Sequence, residues 1–436
     1  MPFTFVHVSD IHFGQEKAET DEVIYNDDAR DQLIQDASDL VKKHASGQAA
    51  GVIVTGDIAY SGRRDEYTRA AEWLDRLTAS IGCKNTAVQV VPGNHDIDLK
   101  AISSGCKWML EEIDKDGIPK LNNFLLNDLD REVLYGRFTG YRPFAEGYNC
   151  PLDRTGKYAS YKSFEMAPGR TLRFIGLNSA LVCSGKDSEG HLLLGARQHV
   201  LPRTPGEELV VLSHHPLHWF RDSADAKRYI ESRARVFITG HEHNPSMKME
   251  KPVEGGDLMM LAAGATTPPK EDDYTYTYNL ITFDWHAETE GLEVTIRPRS
   301  WNSRETAFEE DLKPLGDHKP CNVLRCPNFK QPEQNAPILQ HEAPVEPLEE
   351  QQKATEDMSD RFQMTLLRFF RDLTPRQRLS VLIKLKALPE AWQDTLTHSI
   401  ERHVVETLEA AGRLEELTKA IDEIQKDIEG PKEKSE

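Results

Sequence analysis

Cysteine is scarce in this chain. The six residues Cys83, Cys106, Cys150, Cys183, Cys321 and Cys326 are scattered through 436 positions. That spread excludes a dense disulfide framework and suits reduced thiols. The spacing of Cys321 and Cys326 is not a standard zinc pattern. Long apolar runs are missing as well. No window approaches the ~20 apolar residues that a membrane span needs. The opening "MPFTFVHVSDIHFG" has neither a basic stretch nor a long apolar core, so a cytoplasmic location is expected. Positive charge is in deficit: 53 Lys and Arg face 72 Asp and Glu, a net charge of −19. Such a chain repels a phosphate backbone at long range, which makes general nucleic-acid binding unlikely. A small, locally positive site stays compatible with that balance.

What is present is a soluble globular composition, 38% hydrophobic and 29% charged. The length favours two domains, or one large domain with an appendage. Short β-rich runs alternate with helical stretches over the first part of the chain. Strands are expected at 3–10, 50–57, 87–94, 172–179, 208–215, 235–243 and 258–266. Helices are expected at "DDARDQLIQDASDLVKKH" and "DEYTRAAEWLDRLTASI", and an antiparallel pair at "YTYNLITFDWH" and "GLEVTIRPRSW". The alternation implies an α/β layered fold.

Residues 97–160 break that alternation. Tyr135, Phe138, Tyr141 and Phe144 recur every three residues there. A helical insert that packs its aromatics inward is the favoured reading, and a cap that shapes a substrate pocket is the alternative. From about Asp311 the chain turns rich in Pro, Gln and Glu, and 311–357 reads as a linker. Helical signals return over 358–430. Thr374 and Pro375 look like an N-cap and a first helical position. Pro389 opens a further helical pattern through Trp392 and Leu396, with Gly412 near its end. Leu414, Leu417, Ile421, Ile424 and Ile428 form a two-heptad seam. A small all-α bundle is expected, with pairing to a partner or to itself open.

The chemistry sits where the strands stop. "PGNHD" at 92–96 taken alone is only a good turn, because Gly, Asn and Asp tolerate turn backbones. Yet Asp10 and His12, Asp57, Asn94 and His95, His214 and His215, and His241 and His243 all follow strand ends in order. In an open α/β fold such ends converge on one edge. Paired carboxylates gathered there repel each other, and burying unpaired charge costs several kcal/mol. Divalent metals remove that cost. The Asp, Asn and His donors suit Mn, Fe, Zn or Ni, and the lack of cysteine ligands argues against a structural zinc. His191, His218 and Trp219 read as loop or core residues. Asn178 and Ser179 end a strand on the same edge and read equally as turn or contact, as Asp96 does as turn or brace.

The ordered blocks D-x-H, GD, GNHD, H-x-P and GH-x-H resemble the calcineurin-like metallophosphoesterases over roughly residues 3–300. The motif style is closest to the bacterial cyclic-nucleotide phosphodiesterase branch. The resemblance implies a layered β-sandwich flanked by helices over 1–310. It implies one metal at Asp10, His12, Asp57 and His243, and a second at Asp57, Asn94, His214 and His241, with Asp57 bridging. It implies attack by a metal-bridging hydroxide on a phosphate ester, a diester in preference to a monoester, with His95 serving the leaving oxygen. A nuclease of the same superfamily, a binding module, and an effector recruited through 358–430 are the alternatives. The roughly one hundred C-terminal residues lie outside the resemblance.

Overall fold

The computed structural model describes residues 2–16, 21–153, 156–269, 275–330, 359–388 and 396–429. Two compact units emerge. One holds Met1–Tyr141 and Cys150–Glu333; the other holds Arg142–Asn149 and Gln334–Glu436.

Two sheets build the first unit. The strands β1 (Phe3–Val8), β2 (Gly51–Val54) and β3 (Val88–Val90) run parallel at the centre and edge of one sheet. β10 (Thr277–His286), β11 (Gly291–Asn302) and β12 (Ala307–Glu310) extend it antiparallel in the order β12-β11-β10-β1-β2-β3. In the second sheet β5 (Arg170–Gly176), β6 (Glu207–Leu212), β7 (Ala234–Thr239) and β9 (Leu258–Ala262) are parallel. β4 (Ala159–Ala167) and β8 (Ser246–Glu250) close its edges antiparallel. The parallel strands are buried on both faces, so they read as continuous apolar runs rather than alternating ones.

The sheets meet through aromatic rings. Phe174 on β5 lies 5.3 Å from Phe5 on β1 and 5.8 Å from Phe283 on β10, tilted or edge-on as ring quadrupoles favour. Ile53, Val210, Ile238 and Ile296 complete that core. Helices α1 (Asp21–His44) and α2 (Arg64–Ser80) precede β2 and β3. α1 buries Ala29, Leu33, Ala37 and Val41 at the spacing of one helical face. α7 (Ala196–His199) and α8 (Ser223–Arg233) serve the second sheet.

The expected helical insert is α3 (Ser104–Asp116), α4 (Ile118–Leu126), α5 (Asp128–Tyr135) and α6 (Tyr141–Gly147). Its four spaced aromatics are all buried, which is the inward-packing reading. Residues 142–149 nevertheless group with the C-terminal unit. The expected strands are present but shorter at their C-terminal ends, because the chain leaves the ladder just before each motif residue.

The linker expected over 311–357 differs at its start. Cys321–Leu324 forms β13, which pairs antiparallel with Leu292–Thr295 of β11. Phe329 is wholly buried against the same core. A four-residue edge strand carries too little pattern to stand out in a Pro-rich stretch. Residues 331–357 lie outside the described ones. The six cysteines are all free thiols.

In the second unit α9 (359–366) passes into a π-helical turn at Leu367–Asp372. α10 (Pro375–Lys384) starts with Thr374 accepting from the Gln377 amide and Pro375 in the first position. α11 (His398–Ala410) is capped by Thr397, and α12 (Leu414–Glu429) follows. The Pro389–Trp392 start of the expected helix lies outside the described residues. Leu417 and Ile421 of the seam are buried with Leu366, Phe369, Phe370, Val381 and Val405 in this unit's own core.

Candidate metal centre

Strand ends from both sheets deliver the motif residues to one place. Asp10 and His12 follow β1, Asp57 follows β2, and Asn94 and His95 follow β3. His214 follows β6, and His241 and His243 follow β7. The sequence alone suggested one sheet edge; the structure uses the shared edge of two.

Asp57 is the centre of the arrangement. Its Oδ2 lies 3.3 Å from His12 Nε2 and 3.2 Å from His214 Nε2. Its Oδ1 accepts from the His95 amide at 2.8 Å. Asp10 is divided in the same way. Its Oδ2 accepts from Ser9 Oγ at 2.5 Å and from the His241 amide at 3.2 Å, while Oδ1 faces His243 Nε2 at 3.3 Å. One carboxylate oxygen of each is thus tied to the protein, and the other points into the cluster. His214 Nδ1 donates to the Thr55 carbonyl oxygen at 2.8 Å. That bond fixes the tautomer and turns Nε2 toward Asp57 and toward Asn94 Oδ1, 3.2 Å away. The donor atoms of Asp10, His12 and His243 lie within 4.8 Å of one another, as do those of Asp10, Asp57 and His214. His95 and His241 join neighbouring trios with the same spacing.

The backbone is bent to make this possible. Five of the ten non-glycine residues at positive φ among the described residues are Asp10 (52°), His12 (51°), Asp57 (51°), His241 (77°) and His243 (54°). Left-handed backbone is uncommon outside glycine and costs of order 1–3 kcal/mol in its less favoured forms. Gly93 supplies the close approach in the GNHD loop. A Cβ there would fall 2.0 Å from Asp57 Oδ1.

Charge is the second abnormality. Burial opposes ionisation of both aspartates, yet His243 beside Asp10 and His214 beside Asp57 hold both carboxyls well below their ordinary value. Burial also opposes charging of His214, but the Asp57 carboxylate raises it to about 9. Burial and the neighbouring His214 push His241 down to about 3. Among the described residues no lysine or arginine forms an ion pair with Asp10 or Asp57. His12 Nδ1 is buried without a hydrogen-bond partner among those residues. A buried, anion-rich set balanced only by imidazoles fits cations as its missing component.

Around the cluster lie residues whose role the sequence left open. Asp96 proves to be a brace. It is fully buried, its Oδ1 accepts from the Ile58 and Ala59 amides and from Tyr67, and its Oδ2 accepts from the Gly93 amide. Burial and nearby Asp57 push its carboxyl up to about 6. Ser179 Oγ accepts from the His214 and His215 amides and contacts His215 Nδ1 at 3.0 Å. It supports the cluster from behind. Asn178 accompanies it in the core, where its backbone amide donates to Gln198 Oε1.

His95 sits at the rim, partly exposed, with Nδ1 2.9 Å from the Tyr60 carbonyl oxygen. The Tyr60 ring stacks on it at 5.0 Å. Trp219 meets His241 edge-on at 4.1 Å. Tyr60, Arg63, Asn94, His95, Lys100, Trp219 and His241 are among the walls of a cavity of about 480 Å³. Trp219, read as a loop residue, is therefore at the site. His218 pairs with Glu242 at 2.7 Å, and His191 bonds within its own exposed turn.

Residues 3–245 match the calcineurin-like phosphoesterase family, and residues 361–423 match the GTPase-associated adaptor domain. The "uncharacterized metallophosphoesterase-like protein YydB" of Bacillus subtilis (strain 168) is 24% identical over 316 residues. That match covers 70% of this chain but only 60% of the relative's length. Among solved structures, a dimetal phosphatase from Danio rerio is 15% identical, with a TM-score of 0.35 over 71% of this chain and 98% of that one. The purple acid phosphatase PPD1 from yellow lupin (Lupinus luteus) seeds is also 15% identical, with a TM-score of 0.38 over 71% and 53%. The family match spans more than half of the sequence and contains every motif residue named above. The chain belongs to the calcineurin-like phosphoesterase family.

Proposed function

We propose that the protein is a dinuclear metal-dependent phosphoesterase acting on a phosphodiester. The observation that carries this reading is Asp57 Oδ2, one oxygen between His12 Nε2 and His214 Nε2. In this reading Asp10, His12, Asp57 and His243 hold one cation, and Asp57, Asn94, His214 and His241 hold the other. Two cations so held supply Lewis acidity at phosphorus and offset the charge of the ester. The choice among Mn, Fe, Zn and Ni is not set by these donors.

The protein's own part is positioning and proton transfer. Water gives up a proton to the solvent and forms the new P–O bond, the P–O bond to one alcohol breaks, and the departing alkoxide takes a proton. His95 is placed to give it. Its Nδ1 is committed to the Tyr60 carbonyl, which leaves Nε2 for the substrate. Lys100 at the cavity wall adds positive charge for the phosphate, whereas the Arg63 guanidinium pairs with Asp65 and Glu66. The cavity's aromatic walls favour an ester with an organic arm over a bare phosphate.

The helical unit is the second functional part of this proposal. Its match to an adaptor domain supports a protein partner recruited through 358–430, with the phosphoesterase as the effector.

The test is hydrolysis of bis(p-nitrophenyl) phosphate against p-nitrophenyl phosphate by metal-stripped protein refilled with Mn²⁺. Metal-dependent cleavage of the diester, lost in Asn94→Ala and His95→Ala, is expected. A fully metallated protein inert on both esters would return the site to a binding role. Faster cleavage of DNA than of either ester would favour the nuclease alternative.

A further inference from the structure

A second basin adjoins the catalytic cavity. It has a volume of about 550 Å³ and shares Leu99 and Asp187 with the cavity that holds His95 and Asn94. Leu99 is 52% exposed, which is unusual for a leucine beside a site. It rests against Gly185, whose φ is +78° and where a Cβ would stand 3.0 Å from Leu99 Cδ1. Leu99 and the Ser184–Asp187 turn therefore form a low saddle between two compartments. Asp187 is pinned into this turn, because its carboxylate oxygens accept from the Ser184 and Gly185 amides.

The walls of the basin are chemically mixed. Ile102, Leu110 and Leu193 give it an apolar floor. Lys107, Lys186 and Arg221 line it together with Glu111, Asp114 and Asp187, so the formal charges of these six cancel. Arg221 is occupied, since it donates to the Asp114 and Ile113 carbonyl oxygens at the end of α3. An apolar floor with donors and acceptors of both signs fits a neutral, flat, polar-edged group better than a second phosphate.

Building on the phosphodiesterase reading, we propose that the substrate is an acyclic, two-armed phosphodiester. One alcohol arm stays beside Tyr60 and Trp219, and the other, of nucleoside size, crosses Leu99 into the basin. The helical insert thus has two jobs. Its spaced aromatics fill the core, while Ile102, Lys107 and Leu110 form the substrate wall.

The experiment compares adenylyl-adenosine, cyclic AMP and bis(p-nitrophenyl) phosphate as substrates of the metal-loaded full chain. Adenylyl-adenosine is expected to exceed cyclic AMP in kcat/KM by about tenfold or more. Leu110→Trp, which fills the basin, and Lys186→Ala, at an exposed position, should each lower the ratio of adenylyl-adenosine to bis(p-nitrophenyl) phosphate. The drop should be about tenfold for the tryptophan and smaller for the alanine. Calorimetric titration of metal-free protein with adenylyl-adenosine should show the same weakening. A preference for cyclic AMP, or a ratio and affinity unmoved in both variants, overturns the proposal. If no ester is hydrolysed, the phosphodiesterase reading fails, and the titration alone still decides whether the basin binds the second arm.

Discussion

In the C-terminal unit, the buried Arg378 guanidinium donates to Glu401 at 2.9 Å and to the Leu373 carbonyl oxygen at 3.2 Å. At the strand ends of the first unit, Asp10 and Asp57 are just as buried, and among the described residues their side-chain ion-pair partners are imidazoles. The backbone shows the same contrast. Lys386 adopts positive φ where a helix ordinarily stops, with the Lys386 and Ala387 amides returning to Ile383 and Leu382. Asp10, His12, Asp57, His241 and His243 adopt it just beyond strands, where nothing in the local sequence asks for it. Buried charge that finds its partner within the protein reads as architecture. Buried charge held in strained backbone without a full counter-charge reads as a site.

The largest effect should come from removing the centre of the unbalanced set. Asp57→Asn should lower kcat/KM for bis(p-nitrophenyl) phosphate by about 10³ or more, roughly 4 kcal/mol. Bound metal, measured by mass spectrometry, should fall with it while the circular dichroism spectrum holds. Activity within tenfold of the parent would dissolve the distinction drawn above.

The balanced pair should behave in the opposite way. Glu401→Ala leaves Arg378 buried without its carboxylate and should cost about 3 kcal/mol in urea unfolding. Replacing both, as Arg378→Met with Glu401→Leu, should recover most of that loss, because a well-packed apolar pair can substitute for an ion pair. Esterase activity should follow neither change. If the double variant is no more stable than Glu401→Ala, the pair is more than packing.

His95 sharpens the comparison within the site itself. His95→Ala should reduce kcat by about 10² while bound metal is unchanged, the signature of a proton donor and not of a ligand. Loss of metal in step with activity would move His95 into the ligand set.

Much of this was legible because chemistry and topology coincide in the chain. Each motif block follows an apolar run by one or two residues, so Asp10, Asp57, Asn94 and His241 announce both a strand end and a donor. The supporting atoms announce nothing. Ser9, Thr55 and Ser179 are small, common residues, and their hydrogen bonds depend on which strands are neighbours. Periodicity also says that a face is buried without saying against what. Phe144 and Tyr148 carry the right spacing for the insert's core, yet their segment groups with the C-terminal helices. The choice at Asp96 between turn and brace stayed open for a related reason. Its sequence position is that of a turn residue, and only the fold brings the Ile58 and Ala59 amides to it.

Asp153 tests the contrast at its weak end. It is a half-buried carboxyl in the first unit that lies outside the metal cluster and accepts from Tyr135 and from the Gly156 amide. Burial pushes it up to about 7, and Arg131 and Arg197 only partly offset that rise. The folded protein therefore holds this proton over a range where the unfolded chain, titrating near 3.8, has released it. The proton's stabilising effect is fully present below the unfolded value. It is lost as pH rises from about 4 toward 7, and stability then levels off as far as this group decides it. Asp153→Asn keeps the shape, removes the titration and should raise stability at pH 8 by about 1 kcal/mol, with little change at pH 4. Urea unfolding at the two pH values reads this directly. Equal gains at both would mean that Asp153 is as well balanced as Glu401, and that burial without a full counter-charge is confined to the strand ends where the cations are proposed to bind.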